Sequence, residues 1–216
     1  MTAASTMYRG LDYDPAIACR HLSDADPVLG ALIERVGGYE LRPAPTQSLF
    51  AALARAIVYQ QLSGAAASTI LGRVTALFAP RRFPTPRDLL AMPEARLRAA
   101  GLSTAKTLAL RDLAQRTLDG TVPSMALVRR LGDEEIVERL TRVRGIGRWT
   151  VEMLLMFRLG RADVLPLSDL GVRKGFARTY RKRKLPEPVV IQRHAERWRP
   201  YRSVASWYMW RALELE

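Results

Sequence analysis

Residues able to do chemistry gather in one stretch of the chain. Arg144-Gly145-Ile146-Gly147-Arg148 sets two glycines around one apolar residue, with an arginine on either side, and Trp149-Thr150 follow at once. A G-x-G turn frees the backbone from Cβ constraints. With "DEEIVERLTRV" before it and "RWTVEMLLMFRL" after it, apolar spacing predicts helix, tight turn, helix. The opening amides of the second helix have no partner within it and carry the positive end of its dipole, so such a turn can hold a phosphate. Glycine removes side chains that would keep a polyanion at a distance, and Arg144 and Arg148 add positive charge. A plain αα-hairpin whose glycines serve only the turn has the same spacing. Two carboxylates follow in "RADVLPLSDLG", Asp163 and Asp169. Asp169 lies just after Pro166 and near the start of an expected helix, where the helix dipole keeps a carboxylate ionised. Capping that helix is its competing role, and Ser168 could serve as the cap instead.

These groups need elements to carry them, and apolar residues recur at helical spacing along most of the chain. Thr46-Gln-Ser opens an expected helix through Leu49, Phe50, Leu53, Ile57 and Val58, and Ser63 caps another carrying Ile70, Val74, Leu77 and Phe78. Pro93 suits the first turn of a short helix that Gly101 ends; Ser103 opens the next, through Leu108, Leu110 and Leu113 to Gly120. Acids in the first turn of "GDEEIVERLTRV" suit the helix dipole. After the glycine turn a helix is expected to about Leu159, another from about Ser168, and closing helices within Glu187–Trp198 and Pro200–Glu214. The fold class is all-α. Residues 1–43 form an N-terminal segment expected to pack with the C-terminal helices. Residues 44–160 form a helical body whose helix-turn-helix spans about 133–159, and 161–216 hold the aspartate loop and last helices.

Composition narrows the function classes. The chain has 216 residues, 48% of them hydrophobic, which is enough for a sizeable core. Lys+Arg 34 against Asp+Glu 21 gives a net charge of +13, which favours a polyanionic partner because each neutralised phosphate releases condensed counterions. An arginine-rich genome would leave the same imbalance. No apolar run reaches bilayer-spanning length, and no basic stretch followed by an apolar one marks a secretion signal, so no membrane partner is expected. The single cysteine, Cys19, excludes an intramolecular disulfide and a thiolate metal cluster. The run Arg181-Lys182-Arg183-Lys184 reads as a solvated loop, with phosphate contact as its second role.

The stretch "LTRVRGIGRWTVEMLLMFRLGRADVLPLSDLGVRK" resembles the hairpin and catalytic segment of the helix-hairpin-helix DNA glycosylase superfamily, more narrowly its AlkA-like 3-methyladenine DNA glycosylase II branch. The matching positions are Leu140, Val143, Gly145-Ile146-Gly147, Trp149-Thr150, Asp163, Pro166 and Asp169; Val151 stands where alanine is usual. Three more stretches match in family order: "RAIVYQQLSGAAASTI", "LRAAGLSTAKTLALRDLA" and "AERWRPYRSVASWYMW". The resemblance runs from about Thr46 to Trp210. It implies two helical subdomains with the helix-hairpin-helix and an active-site cleft between them. The family's N-terminal sheet domain is expected to be absent, because the residues before Thr46 lack strand patterning.

The implied activity is monofunctional base excision: hydrolysis of the N-glycosidic bond of flipped alkylated bases such as 3-methyladenine and 7-methylguanine in double-stranded DNA. Breaking a C1′–N bond leaves an oxocarbenium-like sugar, and a fixed carboxylate stabilises that charge only as it forms. Asp169 matches the family's catalytic aspartate, while Asp163 belongs to the supporting loop. Where bifunctional members hold a lysine, this chain has Trp149, which offers no nucleophile, so no strand cleavage is expected. One cysteine also excludes the four-cysteine iron–sulfur loop of the endonuclease III-like branch.

The same resemblance assigns binding roles. Trp149, Met153 and Trp210 match pocket positions where a cationic ring would stack, and core packing is their alternative role. Gln60-Gln61-Leu62-Ser63 matches the loop that fills the gap left by a flipped nucleotide, with Gln61 at the intercalating position. Arg144, Gly145, Ile146, Gly147 and Arg148 are the hairpin's DNA contacts. No cofactor is required; a sodium or potassium ion would be held by the main-chain carbonyls of Thr141, Val143 and Ile146. A monomer in the bacterial cytoplasm, on nucleoid DNA, is expected. From a different class, a non-catalytic helix-hairpin-helix protein binding damaged or distorted DNA would need the glycines and the basic residues but not Asp169. A glycosylase for deaminated or oxidised bases is a third reading.

Overall fold

The computed structural model describes residues 10–44, 46 and 48–215, and every regular element among them is helical. In chain order these are α1 (Pro15–Ala25), α2 (Pro27–Val36), α3 (Leu49–Tyr59), α4 (Gly64–Ala76), α5 (Pro86–Ala91), α6 (Glu94–Ala99), α7 (Thr104–Leu118) and α8 (Met125–Val128). They continue with α9 (Asp133–Leu140), α10 (Arg148–Leu154), a π turn (Leu155–Leu159), α11 (Leu170–Thr179), α12 (Pro188–His194), a 3-10 turn (Ala195–Trp198) and α13 (Arg202–Ala212). Most starts are written in the sequence. Asp14, Asp26, Ser48, Ser63, Ser103 and Ser124 each accept a hydrogen bond from a first-turn amide, and Thr85 with Asp88 closes a capping box. Asp14-Pro15 and Asp26-Pro27 pair a cap with proline at the first helical position, so two helices fill the segment before Gly37 that periodicity alone leaves unread.

The chain divides into two units, Thr46–Val151 and Met1–Pro45 joined with Glu152–Glu216. In the Thr46–Val151 unit, α7 is the central element, with α3, α5 and α6 packed on it. Leu53, Ile57, Leu89, Leu97, Leu110 and Leu113 are the largest fully buried side chains on those helices.

In the other unit α13 is central and packs on α11, α2 and α1. Residues 203–209 of α13 are buried on every side, as expected of a helix enclosed by neighbours. Gly175 lets α11 approach this closely, because a Cβ there would run into the Met209 carbonyl. Beside this core lies an unusual group. Asp26, 2% exposed, caps α2 through Oδ1, while its Oδ2 accepts hydrogen bonds from Tyr180 Oη (2.7 Å) and Trp198 Nε1 (3.0 Å) and lies 2.7 Å from His194 Nε2. Phe176 closes the aromatic wall around His194.

Three boundaries differ from expectation. The helix expected to run to Leu159 is α-helical only to Leu154 and then widens into a π turn, closed by Gly160 at φ 69°. The helix expected from Ser168 begins at Leu170, with Asp169 as its cap. The stretch Glu187–Trp198 is two pieces, because α12 ends at His194 and tightens into a 3-10 turn.

Burial opposes ionisation of Asp26, but the hydrogen bonds from Tyr180, Trp198 and His194 outweigh it and hold the carboxyl below its ordinary range. Its contribution is therefore complete above the unfolded carboxyl pKa of about 3.9 and fades as pH falls through the lower folded value. Asp26→Ala leaves a half-buried phenol and a buried indole without their acceptor. It is expected to lower unfolding stability by about 3–5 kcal/mol at neutral pH and by less at acid pH, read by urea denaturation at both.

Candidate active site

The loop from Gly160 to Asp169 is tied down before it reaches the carboxylate. Asp163 accepts from Arg199 Nη1 (2.6 Å) and from Arg202 Nε (2.6 Å) and Nη2 (2.9 Å), so its charge is consumed in anchoring the loop to the start of α13. Val164 N donates to Ser203 Oγ (2.9 Å) and Ser203 N to the Ala162 carbonyl (2.9 Å). A turn then closes from Asp169 N to the Pro166 carbonyl (3.0 Å).

Asp169 emerges from this turn as the N-cap of α11. Its Oδ1 accepts from Val172 N and from Trp210 Nε1, both at 2.8 Å. The capping role is thus taken by Asp169 itself and not by Ser168, and it fixes the carboxylate in one orientation. The Trp210 ring stacks on Phe157 with centroids 5.6 Å apart and planes 27° apart. Gly171 makes room for this ring: a Cβ there would lie 2.7 Å from Trp210 Cδ1 and 3.0 Å from Asp169 Oδ1. The structure therefore brings Asp169 and Trp210 together, with an indole that orients the carboxylate as well as offering a face.

Trp149 and Met153 lie one turn apart on α10, hence on one side of that helix. Trp149 is 46% exposed, far from a core position, and Met153 is half-buried. Phe157 falls at the next i+4 step of the same spacing, on the π turn, and is exposed as well. Its place in the stripe Trp149, Met153, Phe157 was the signal available in the sequence, and the switch to π geometry was not. A separate cavity of about 610 Å³, lined by Pro27, Val28, Leu32, Arg178 and Tyr180 among others, contains none of these groups.

Gly145 has φ 77°, in the region that favours glycine, whereas Gly147 has no such requirement and faces open space, so only the first glycine is dictated by the turn. Arg144 N donates to Asp112 Oδ2 (2.7 Å) and its side chain is exposed. Arg148, whose charge was expected to serve the turn, pairs with Glu134 through two hydrogen bonds of 3.0 and 2.8 Å. Both partners are solvent-exposed, so the pair is worth under about 1 kcal/mol and yields readily to a stronger anion. Ile146 is buried beneath the turn, and its amide donates to the Val143 carbonyl (3.1 Å). Gln61 takes a left-handed backbone, φ 58°, at the tip of the preceding loop, and Gln61, Leu62 and Ser63 are all exposed. Gln60 turns inward instead, its Nε2 donating to the Gly145 carbonyl (2.8 Å).

A model of the HhH-GPD superfamily base excision DNA repair proteins matches residues 54–200, which include the hairpin, Asp163 and Asp169. The chain belongs to this superfamily. It is 38% identical over 196 residues to DNA-3-methyladenine glycosylase 1 of Schizosaccharomyces pombe, covering 90% of this chain and 86% of that one. It is 33% identical over 165 residues to DNA-3-methyladenine glycosylase 2 of Escherichia coli, covering 72% and 55%. Among solved structures, the S. pombe 3-methyladenine DNA glycosylase in complex with abasic DNA superposes with a TM-score of 0.80 over 92% of this chain and 97% of that one. Within the HhH-GPD frame, the Asp169–Trp210 pair is a feature that sequence alone did not join.

Gly171→Ala should separate that pair by displacing the indole. Helix content and unfolding midpoint are expected to change little, while base excision falls at least about tenfold, because a small misplacement of a reacting group is costly. Excision kinetics beside a thermal melt check it.

Proposed function

We propose that this protein is a monofunctional DNA glycosylase of base excision repair that hydrolyses the N-glycosidic bond of flipped alkylated purines, 3-methyladenine and 7-methylguanine above all. The single observation that carries this reading is the fixed carboxylate: Asp169, oriented by the Val172 amide and the Trp210 indole, in a chain of the base-excision superfamily. The relatives named for 3-methyladenine support the choice of alkylated bases.

The chemistry follows from the groups present. Alkylation at N3 or N7 makes a purine cationic and a good leaving group. As the C1′–N bond lengthens, positive charge moves onto the sugar, and a carboxylate already held in place stabilises it without reorganising. The same oxygen pair can orient or deprotonate the water that attacks C1′. Trp149 and Trp210 supply π faces for a cationic ring and Met153 a polarisable thioether. Trp149 stands where a Schiff-base lysine would have to stand, so release is by water alone and the abasic strand stays intact.

Duplex binding is assigned to the hairpin, Arg144 to Arg148, and to the Gln60–Ser63 loop, with Gln61 as the wedge that replaces the extruded nucleotide. A sodium or potassium ion at the hairpin would use the carbonyls of Thr141, Val143 and Ile146. The Val143 carbonyl already accepts from Ile146 N and keeps a second lone pair for such an ion. One lesion needs one active site, so the protein works as a monomer, on nucleoid DNA in the cytoplasm. Among the described residues no helix is long and apolar enough to cross a membrane.

Asp169→Asn is the sharp test, because asparagine caps helices as well as aspartate does. Stability should stay within about 0.5 kcal/mol while release of 3-methyladenine from methylated DNA falls about 100-fold or more. Undiminished release by the variant would remove Asp169 from the chemistry. An unmutated protein that binds but releases no alkylated base would instead be the non-catalytic binder.

The hairpin assignment has its own measurement. Arg144→Ala should weaken binding to an abasic-site duplex and lower the slope of log K against log salt by about 1. Fluorescence anisotropy across a salt series reads it.

A further inference from the structure

Helix α7 touches both loops assigned to DNA, and it does so with residues three apart on one face. Lys106 Nζ donates to the carbonyls of Val58 and Gln60, each at 2.7 Å. Ala109 lies under the hairpin, 3.4 Å from where a Cβ on Gly145 would be. Asp112 Oδ2 accepts from Arg144 N at 2.7 Å and from Arg116 Nε at 3.1 Å. Gln60 Nε2 completes the circuit by donating to the Gly145 carbonyl at 2.8 Å. Positions i, i+3 and i+6 share one side of a helix, so this stripe faces the two loops as a single rigid edge.

We propose that Lys106 is a positioning residue that holds the Gln61 turn ready to enter DNA, with α7 setting the distance between that turn and the glycine hairpin. This rests on the function proposed above.

The physical case begins at the end of α3. A helix leaves its last carbonyls without partners, and a cation there satisfies them and meets the negative end of the dipole. Lys106 does both at the residues that lead into the turn. Gln61 follows at once in a left-handed conformation, which a residue with a Cβ keeps only where its surroundings over-determine it. Lys106 before it and Gln60 beside it are those surroundings. Burial pushes the Lys106 ammonium below its ordinary pKa, and the two carbonyls it feeds are the compensation for that partial desolvation. The Lys106 ammonium is directed to main-chain oxygens, so it acts through Gln61.

Insertion of a wedge matters most when the lesion is stacked and paired, and least when it is mispaired and already easy to extrude. Lys106→Met, Lys106→Arg and the unmutated full chain are compared in two ways. The first is hydrogen exchange of the amides of Gln60 to Ser63 in the free protein. Lys106→Met should speed their exchange at least tenfold while those of α9 are unchanged, and Lys106→Arg, which can still feed both carbonyls, should stay near the unmutated rate. The second is single-turnover excision of 7-methylguanine. Lys106→Met should lose at least tenfold opposite cytosine but less than threefold opposite a mismatched base. Unchanged exchange in Lys106→Met overturns the proposal, and so does an equal loss on paired and mispaired lesions. If the unmutated chain excises nothing, the glycosylase reading fails by itself and the exchange data decide the positioning role. Should Lys106→Met not fold, Lys106→Gln, which can donate to one carbonyl, is measured by the same two readouts.

Discussion

Asp169 Oδ1 takes two hydrogen bonds that come from different parts of the chain, one from the amide three residues on and one from an indole on the last helix. The first is local and would form in almost any helix that starts with aspartate. The second exists only because α11 and α13 lie close together, which Gly175 permits at the Met209 carbonyl and Gly171 at the Trp210 ring. A carboxylate held from two directions has little freedom left, and a group proposed to meet charge at the moment it develops needs that lack of freedom. The loop below it is treated alike: the paired guanidinium groups of Arg199 and Arg202 neutralise Asp163 and fix the path that leads to Asp169.

The Thr46–Val151 unit follows a similar logic with main-chain groups in place of a carboxylate. Its two exposed turns, at Gln61 and at Gly145, are stiffened from behind by side chains of α7 and joined to each other through Gln60. The surfaces left outward are small or flexible: Gly147 with nothing above it, the tip residues Gln61 and Leu62, and Arg148 in an exposed ion pair that a phosphate could displace. Rigid support behind and an open face in front is what a loop needs to grip a polymer without reading its sequence.

Much of this was legible residue by residue. The serine caps and the acids opening α9 announce helices through local chemistry, and an all-helical chain follows; the cap-and-proline pairs at Asp14 and Asp26 open two further helices that periodicity does not mark. The G-x-G turn was visible for the same reason, since it depends on residue type at a fixed short spacing, whereas the roles of Asp169 and of a tryptophan in place of a lysine came from the resemblance to the glycosylase family. Less visible was which of Ser168 and Asp169 caps α11, since both are good caps and only the backbone path chooses. Nor does periodicity reveal the π turn, because Leu155–Leu159 carries the same apolar pattern that an α-helix would.

The sequence by itself determined the helices, the position of the hairpin and the sign of the net charge. Helices and hairpin are set by neighbours within a few residues, and the charge by composition alone. The tertiary structure alone decided that Trp210 meets Asp169 across 41 positions, that Lys106 closes the end of a helix 48 positions earlier, and that Asp26 is enclosed by Tyr180, His194 and Trp198. Those contacts join residues with no shared spacing in the chain. The Trp210 contact in particular arises from how closely α11 and α13 approach, which Gly171 and Gly175 govern through the side chains they lack.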